Sequence, residues 1–272
     1  MRIKREKVDT EQLKNKYENA LEFYKERMAD LPGNPYLVRP LSNRSFDLFF
    51  SSFLFDPDEE KIKLYLRLYA ESSLAKFLMA LNVGKEISFR INQASLSVTP
   101  DERDYEISVL KWINLFYAVT LLKDPDLLRS TADMDLNKVN DLTSSKTEKY
   151  NFHSAVFLQK WYKKNGNASD DLLLASQTSN EVSKQSPLYD YMLDIGGPQI
   201  DLFSKIIYNE APEFNSLLKN AVQYHKNFFE GESKNGIINT AGIISLPLSA
   251  ICLIAKNTGF HIETSSDFIW IT

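Results

Sequence analysis

The chain has 272 residues, of which 43% are apolar and 25% charged, and this balance excludes a mainly disordered protein. Its 32 basic and 36 acidic side chains give a formal net charge of −4 at pH 7, which excludes the basic footprint of a nucleic-acid-binding protein. Only nine residues are glycine, about half of the usual share, so the composition favours helices over glycine-dependent turns and phosphate-binding loops.

The first 35 residues predict an N-terminal helix. Apolar side chains recur at helical spacing from Leu13 to Met28, behind a capping residue at Asp9, and the helix is expected to end at Pro32 and Gly33. The basic opening has no apolar segment behind it, so we expect no secretory signal peptide.

Two further helices are predicted on either side of an acidic junction. The first covers Phe46–Phe55, and the second runs to Gly84, whose position suits a left-handed helix end. The junction reads Asp-Pro-Asp-Glu-Glu from Asp56 to Glu60, which offers a cap, a proline in the first helical position and acids facing the positive end of the helix.

The middle of the chain predicts a β-hairpin followed by helices. Apolar and polar residues alternate on both sides of Asn92-Gln93, which places a hairpin within residues 86–99. Helical spacing returns over 102–123 and 144–164. Residues 167–186 are polar and resemble a linker, but they contain no proline, so we do not divide the chain there.

The last third predicts helices over 187–193, 199–208, 212–229 and 236–256, with Gly196-Gly197 as a turn between two of them. Residues 261–264 and 268–271 are β-like. The predicted fold is therefore mainly α, a single domain over residues 1–272 with about eight to ten helices, a small β-hairpin and a short C-terminal β segment.

Residues 236–255 carry no charge over twenty positions, which is the length that a membrane-spanning helix needs. Polar residues interrupt them, and Pro247 would break a helix near its middle. We favour a buried helix in a cytoplasmic protein without a membrane partner. A membrane-associated scaffold anchored by these residues stays the alternative.

The search for reaction chemistry predicts no catalytic, cofactor or metal site. Dinucleotide, Walker, zinc-protease and nucleophile-elbow motifs do not occur in the sequence. Its three histidines, His153, His225 and His261, are too scattered to share a helix face, and each is expected in the core or at the surface. The single cysteine, Cys252, cannot form an internal disulfide and is expected to be an inert buried thiol in a reducing compartment.

Acidic residues form the most conspicuous clusters. Most such acids are expected to be solvated helix caps, because carboxylates favour the positive end of a helix. A helical metal-dependent hydrolase that uses paired carboxylates as ligands is the second alternative. The two richest clusters are Asp56, Asp58, Glu59 and Glu60, and then Asp101, Glu102, Asp104 and Glu106.

Three stretches resemble a known family. Leu110–Ala118 (LKWINLFYA) with Lys123-Asp124, Ala221–Lys226 (AVQYHK) and Leu246–Lys256 (LPLSAICLIAK) resemble, in order and spacing, helices of the bacterial immunity protein 49 family. The resemblance extends over about residues 40 to 270. Lys123 stands where that family usually has arginine.

The resemblance implies a mostly helical, non-enzymatic protein without a cofactor that neutralises a cognate secreted toxin by binding it. Toxins of this kind include those delivered by type VI or contact-dependent secretion. We expect the two acidic clusters defined above to contact the toxin, and if the toxin is a nuclease their carboxylates can take the place of phosphates in its basic groove. The oligomeric state stays open.

Overall fold

The computed structural model describes residues 2–5, 10–102, 105–143, 147–234 and 239–271, and the protein is 68% helical with a small two-stranded sheet. The mainly α fold class is therefore confirmed. Contacts between Cα atoms group the chain into two compact units. We call residues 9–145 the N-terminal unit, and residues 1–8 with 146–272 the C-terminal unit. The expectation of one domain over residues 1–272 stays a prediction.

The N-terminal unit is built around α2 and α3, with α1 packed on α2 and α4 packed on α3. A short 3₁₀ turn precedes α2, and the two strands lie between α3 and α4. Its elements are α1 (Thr10–Arg27), α2 (Val38–Phe55), α3 (Glu59–Leu81), β1 (Ile87–Ile91), β2 (Ala94–Val98), α4 (Val109–Leu122), α5 (Pro125–Ala132) and α6 (Leu136–Asp141).

The hairpin has the predicted position. The strands β1 and β2 pair antiparallel from Ile87 opposite Val98 to Ile91 opposite Ala94. Asn92 and Gln93 both have positive φ, 44° and 72°, as a two-residue hairpin turn requires to follow the twist of its strands.

Helices α3 to α6 each start at a side-chain cap, with two differences from the prediction. The cap of α3 is Asp58 and not Asp56, because the Asp58 carboxylate accepts the N–H groups of Glu60 and Lys61 at 3.0 Å each. The predicted helix from residue 102 begins only at Val109. Ser108 caps α4, and Glu106 just before it has a left-handed backbone that a helix cannot include.

The C-terminal unit holds the remaining helices, with α8 packed on α7 and α11 packed on α10. A π-helical turn at Met192–Gly196 joins α9 to α10, and a 3₁₀ turn at Thr240–Gly242 precedes α12. The helices are α7 (Lys149–Lys163), α8 (Ala168–Ser179), α9 (Tyr189–Tyr191), α10 (Gly197–Ile207), α11 (Ala211–Lys234) and α12 (Leu246–Asn257).

One helix of this unit was not predicted from the sequence, and one local prediction is wrong. The linker-like stretch 167–186 contains α8, which buries Leu172 and Ala175. The Gly196-Gly197 pair is not a turn between helices, because the π-helical turn continues directly into α10. A Cβ at Gly196 would lie 2.8 Å from the ring of Tyr150, so close packing is what requires this glycine.

The apolar segment 236–256 is not one continuous helix. Helix α12 begins at Leu246, with Pro247 in its first turn. Backbone N–H groups in the first turn have no partner within the helix, so a proline there costs no hydrogen bond. Ser245 caps it by accepting the N–H of Leu248 at 3.3 Å. Residues 235–238 lie outside the described part of the chain. No helix that the structure describes is both long enough and apolar enough to span a membrane.

The short β segment expected at the C-terminus is reduced to a single parallel bridge between Ile3 and Ser266. Residues 261–264 and 268–271 form no strand. The backbone of the second stretch bonds elsewhere, because the Phe268 carbonyl accepts the N–H of Ser245 at 2.8 Å and the Ser249 hydroxyl accepts the N–H of Trp270 at 2.9 Å.

Candidate functional site

The first acidic cluster lies at the junction of α2 and α3. Asp56 follows the last residue of α2, Asp58 caps α3, and Glu59 and Glu60 form the first turn of α3. The side chains of Glu59 and Glu60 are 63% and 87% exposed. The structure therefore places all four predicted residues at one point of the fold.

Lysines pair with part of this negative charge. Lys61 Nζ lies 2.7 Å from Asp56 Oδ2, and Lys63 Nζ lies 2.8 Å from Glu59 Oε1 and 3.5 Å from Glu60 Oε1. Both lysines have a raised pKa, chiefly because their ammonium groups hydrogen-bond to these carboxylates. Four carboxylates against two ammonium groups leave the junction negative. Exposed ion pairs of this kind are weak, so a carboxylate can leave its lysine and pair with a cation of another protein.

The second acidic cluster is divided. Asp101 and Glu102 are exposed just beyond β2, and Tyr105 donates its hydroxyl hydrogen to the Asp101 carbonyl at 3.2 Å. Asp104 lies outside the described residues. Glu106 is only half-exposed, so the structure does not keep these acids together as one open surface.

Glu106 is engaged inside its own unit. Arg39 from α2 donates to Glu106 Oε1 through two of its nitrogens, and Lys111 donates to the Glu106 carbonyl at 2.7 Å. The Arg39 hydrogen bond is the main reason that the pKa of Glu106 lies below its ordinary value. Glu106 also has a φ of +55°, a conformation uncommon outside glycine that its surroundings must maintain.

The histidines and the cysteine do not form a metal centre in the described residues, where no group of three or more His, Cys, Asp or Glu is placed to hold an ion. Cys252 is buried in α12, and burial raises the pKa of its thiol to about 12. That thiol stays protonated at neutral pH and is a poor nucleophile, as the sequence predicts.

The sequence of α3 carries a polar feature that the prediction missed. Ser73 and Lys76 interrupt its apolar stripe, and both are buried. A lysine is almost never buried without a polar environment, so a charged residue inside an apolar helical stripe was the available signal.

The sequence of this acidic, helical chain matches a known protein family. The sequence model described as Immunity protein 49 matches residues 56–269, which is most of the chain. This chain belongs to the Immunity protein 49 family. Searches of curated proteins and of solved structures each give no match.

Membership in the Immunity protein 49 family confirms the resemblance seen in the sequence and indicates an immunity protein, which implies a toxin as its partner. The matched region begins at Asp56 and so includes both acidic clusters. The N-terminal helix α1 precedes it.

Proposed function

We propose that this protein neutralises a cognate secreted bacterial toxin by direct stoichiometric binding in the cytoplasm, and so protects the producing cell and its siblings. The observation that carries the proposal is the family match over residues 56–269. The toxin belongs to a polymorphic toxin system whose effectors enter by type VI or contact-dependent secretion. The protein acts by binding the toxin and catalyses no reaction of its own.

The junction of α2 and α3 is the proposed centre of toxin contact. Glu59 and Glu60 are exposed acids in the first turn of α3, and the junction has two more carboxylates than ammonium groups. A negative surface of this kind attracts a basic groove from a distance and speeds association. Asp101 and Glu102 are exposed as well and extend the proposed contact.

Co-expression tests this function directly. We expect the neighbouring open reading frame to be toxic alone and harmless when this chain is expressed with it, and the two purified proteins to form a one-to-one complex. Survival that depends on degradation of the toxin, with no complex formed, would contradict stoichiometric binding.

A pair of charge-neutral variants tests the acidic contact. We expect Glu59→Gln with Glu60→Gln to weaken toxin binding by on the order of tenfold, because steering and interfacial charge pairs are both lost. Glu22→Gln with Glu26→Gln on α1 is the matched control, since it removes the same charge from exposed positions in the same unit. Equal affinity of the two double variants, measured by calorimetry, would place the contact elsewhere.

A further inference from the structure

A pocket of about 290 Å³ lies between α2, α3 and α4 of the N-terminal unit. Helices α2 and α4 both pack on α3, and each of the three helices lines the pocket with residues at helical spacing. The exposed residues Asn43 and Lys111 lie among these lining residues. The volume is near the lower end of small-molecule sites and is sufficient for one aromatic ring with a short side chain.

Aromatic rings form part of the wall. Phe46 is half-buried, Tyr69 and Phe77 are buried, and the rings of Phe46 and Tyr69 have centroids 5.0 Å apart with 59° between their planes. Tilted rings of this kind offer edges and faces against which another ring packs edge-on or offset. The wall therefore favours an aromatic group in the ligand.

The charged groups of the lining are balanced and already engaged. Two of them are cations, Lys76 and Lys111, and two are anions, Asp47 and Glu106. Lys111 donates to the Glu106 carbonyl, and Arg39 pairs with the Glu106 carboxylate. Lys76 and Asp47 each interact with another part of the chain. A charged ligand would have to displace one of these partners, whereas a neutral ligand leaves all of them in place.

Asn114 is the lining residue whose polar group is unused. It lies in the middle of α4 between the buried residues Ile113 and Leu115, and it is half-buried itself. Its side-chain amide makes no hydrogen bond to any residue that the structure describes. An amide both donates and accepts, and it loses free energy if a bound ligand covers it without pairing with it. A ligand hydroxyl also donates and accepts, and it carries no charge.

Three buried hydroxyls in the lining supply a further donor. The hydroxyls of Ser42 and Ser73 are 2.8 Å apart, and Ser73 also hydrogen-bonds to the Tyr69 hydroxyl. These two hydrogen bonds use at most two of the three O–H hydrogens, so at least one hydrogen has no acceptor among the described residues. A few polar groups with spare capacity among apolar walls are what orients a ligand in a small-molecule site.

We propose that this pocket binds a neutral aromatic alcohol, with the ring against Phe46 and Phe77 and the hydroxyl directed to Asn114. A free aromatic alcohol has this chemistry, and so does the tyrosine side chain of a protein. The inference goes beyond the proposed function, whose toxin contact uses exposed acids that do not line this pocket.

Three probes with the same ring test the ligand class on the full-length protein. They are benzyl alcohol, which is neutral, benzylamine, which is a cation at neutral pH, and benzoate, which is an anion. We expect benzyl alcohol to bind with a Kd on the order of 1 mM in ligand-observed NMR titrations, as small ligands do. Each charged probe should bind at least about fivefold more weakly, because its charge loses hydration without gaining a free partner. Equal or tighter binding of either charged probe, or no binding of benzyl alcohol at about 10 mM, would overturn the proposal.

A change of the same size at Asn114 locates the hydroxyl. Asn114→Asp replaces the amide by a carboxylate, and we expect benzylamine to become the tightest of the three probes, because its ammonium then has a carboxylate to pair with. Asn19→Asp on α1 is the matched control, because it adds the same charge at an exposed position within a helix of the same unit, and it should keep the preference for benzyl alcohol. An unchanged order of affinities in Asn114→Asp would contradict the proposal.

A blocking variant keeps the test decisive if Asn114→Asp does not fold. Asn114→Trp places a large ring at the half-buried pocket wall, and we expect it to prevent binding of benzyl alcohol. Unchanged binding of benzyl alcohol to folded Asn114→Trp would also overturn the proposal.

Adding the purified product of the neighbouring reading frame distinguishes the two sources of the aromatic alcohol. Displacement of benzyl alcohol assigns the pocket to a tyrosine of that partner, and retention assigns it to a free aromatic alcohol. The probe titration needs no toxin, so a failure of the pocket proposal and a failure of toxin neutralisation give separate results.

Discussion

His225 illustrates how burial determines the behaviour of a single residue. It lies on α11 in the C-terminal unit and is 3% exposed, with the rings of Phe229 and Phe268 centred 4.7 and 5.5 Å from its own. Burial lowers its pKa to about 3, the charge of Arg5 acts in the same direction, and a backbone hydrogen bond with Gly242 opposes both. The sequence allowed a core or a surface imidazole, and the structure places this one in the core.

This burial predicts a pH-dependent stability. Between the folded pKa of about 3 and the ordinary value of 6.5, the unfolded state binds a proton that the folded state rejects. The free energy of unfolding should therefore fall as the pH drops below 6.5, by up to about 1.4 kcal/mol per pH unit from this group. Urea denaturation between pH 5 and pH 7.5 measures the slope.

The matched variants are His225→Met, which removes the buried imidazole, and His261→Gln, which removes an exposed one. We expect His225→Met to flatten the slope and His261→Gln to keep it. The same slope in wild type and His225→Met would mean that other groups cause the acid sensitivity.

At the scale of secondary-structure elements, the start of α3 combines a structural and a proposed binding role. Asp58 holds two N–H groups of the first turn at 3.0 Å, whereas Glu59 and Glu60 face solvent. Removing Asp58 would therefore lower the stability of α3 and also change the charge of the junction. Any mapping of toxin contacts by alanine substitution has to separate these two effects.

We expect Asp58→Ala to lower the free energy of unfolding by about 1 kcal/mol, and Asp58→Asn to stay within a few tenths of wild type, because asparagine caps as well as aspartate. Chemical denaturation checks both variants. An equal loss in the two would show that the charge of Asp58, and not its capping hydrogen bonds, stabilises α3.

The elements that the sequence predicted correctly depend on neighbouring residues. The hairpin, for example, follows from alternation around Asn92-Gln93. The elements that it missed depend on distant contacts. Gly196 belongs to a continuous helical path because Tyr150 fills the space beside it, and α4 starts late because Glu106 pairs with Arg39, 67 residues away.

The same division applies to the candidate site. The junction acids could be predicted because Asp56 to Glu60 are consecutive in sequence. The cavity of about 290 Å³ between α2, α3 and α4 could not be predicted, because its walls come from three helices whose packing no local pattern specifies. Glu106 was predicted as a toxin contact, but its ion pair with Arg39 on α2 joins residues 67 positions apart in the sequence, which no local pattern indicates.

At the scale of the whole molecule, the family match and the charge lead to a prediction about partner binding. The chain carries four more acidic than basic side chains at pH 7, and the family implies a toxin partner. If exposed acids guide the toxin, its association should depend on salt much more than its dissociation does.

We expect the association rate of toxin and immunity protein, measured by stopped-flow fluorescence, to fall steeply between 0.1 M and 1 M salt, because the screening length shrinks from ~10 Å to ~3 Å. Glu59→Gln with Glu60→Gln should flatten this dependence, and Glu22→Gln with Glu26→Gln, which removes the same total charge, should keep most of it. Equal flattening in the two would mean that net charge alone attracts the toxin. A rate that salt leaves unchanged would contradict electrostatic guidance and turn attention to apolar contacts, because burial of apolar surface does not weaken as charges are screened.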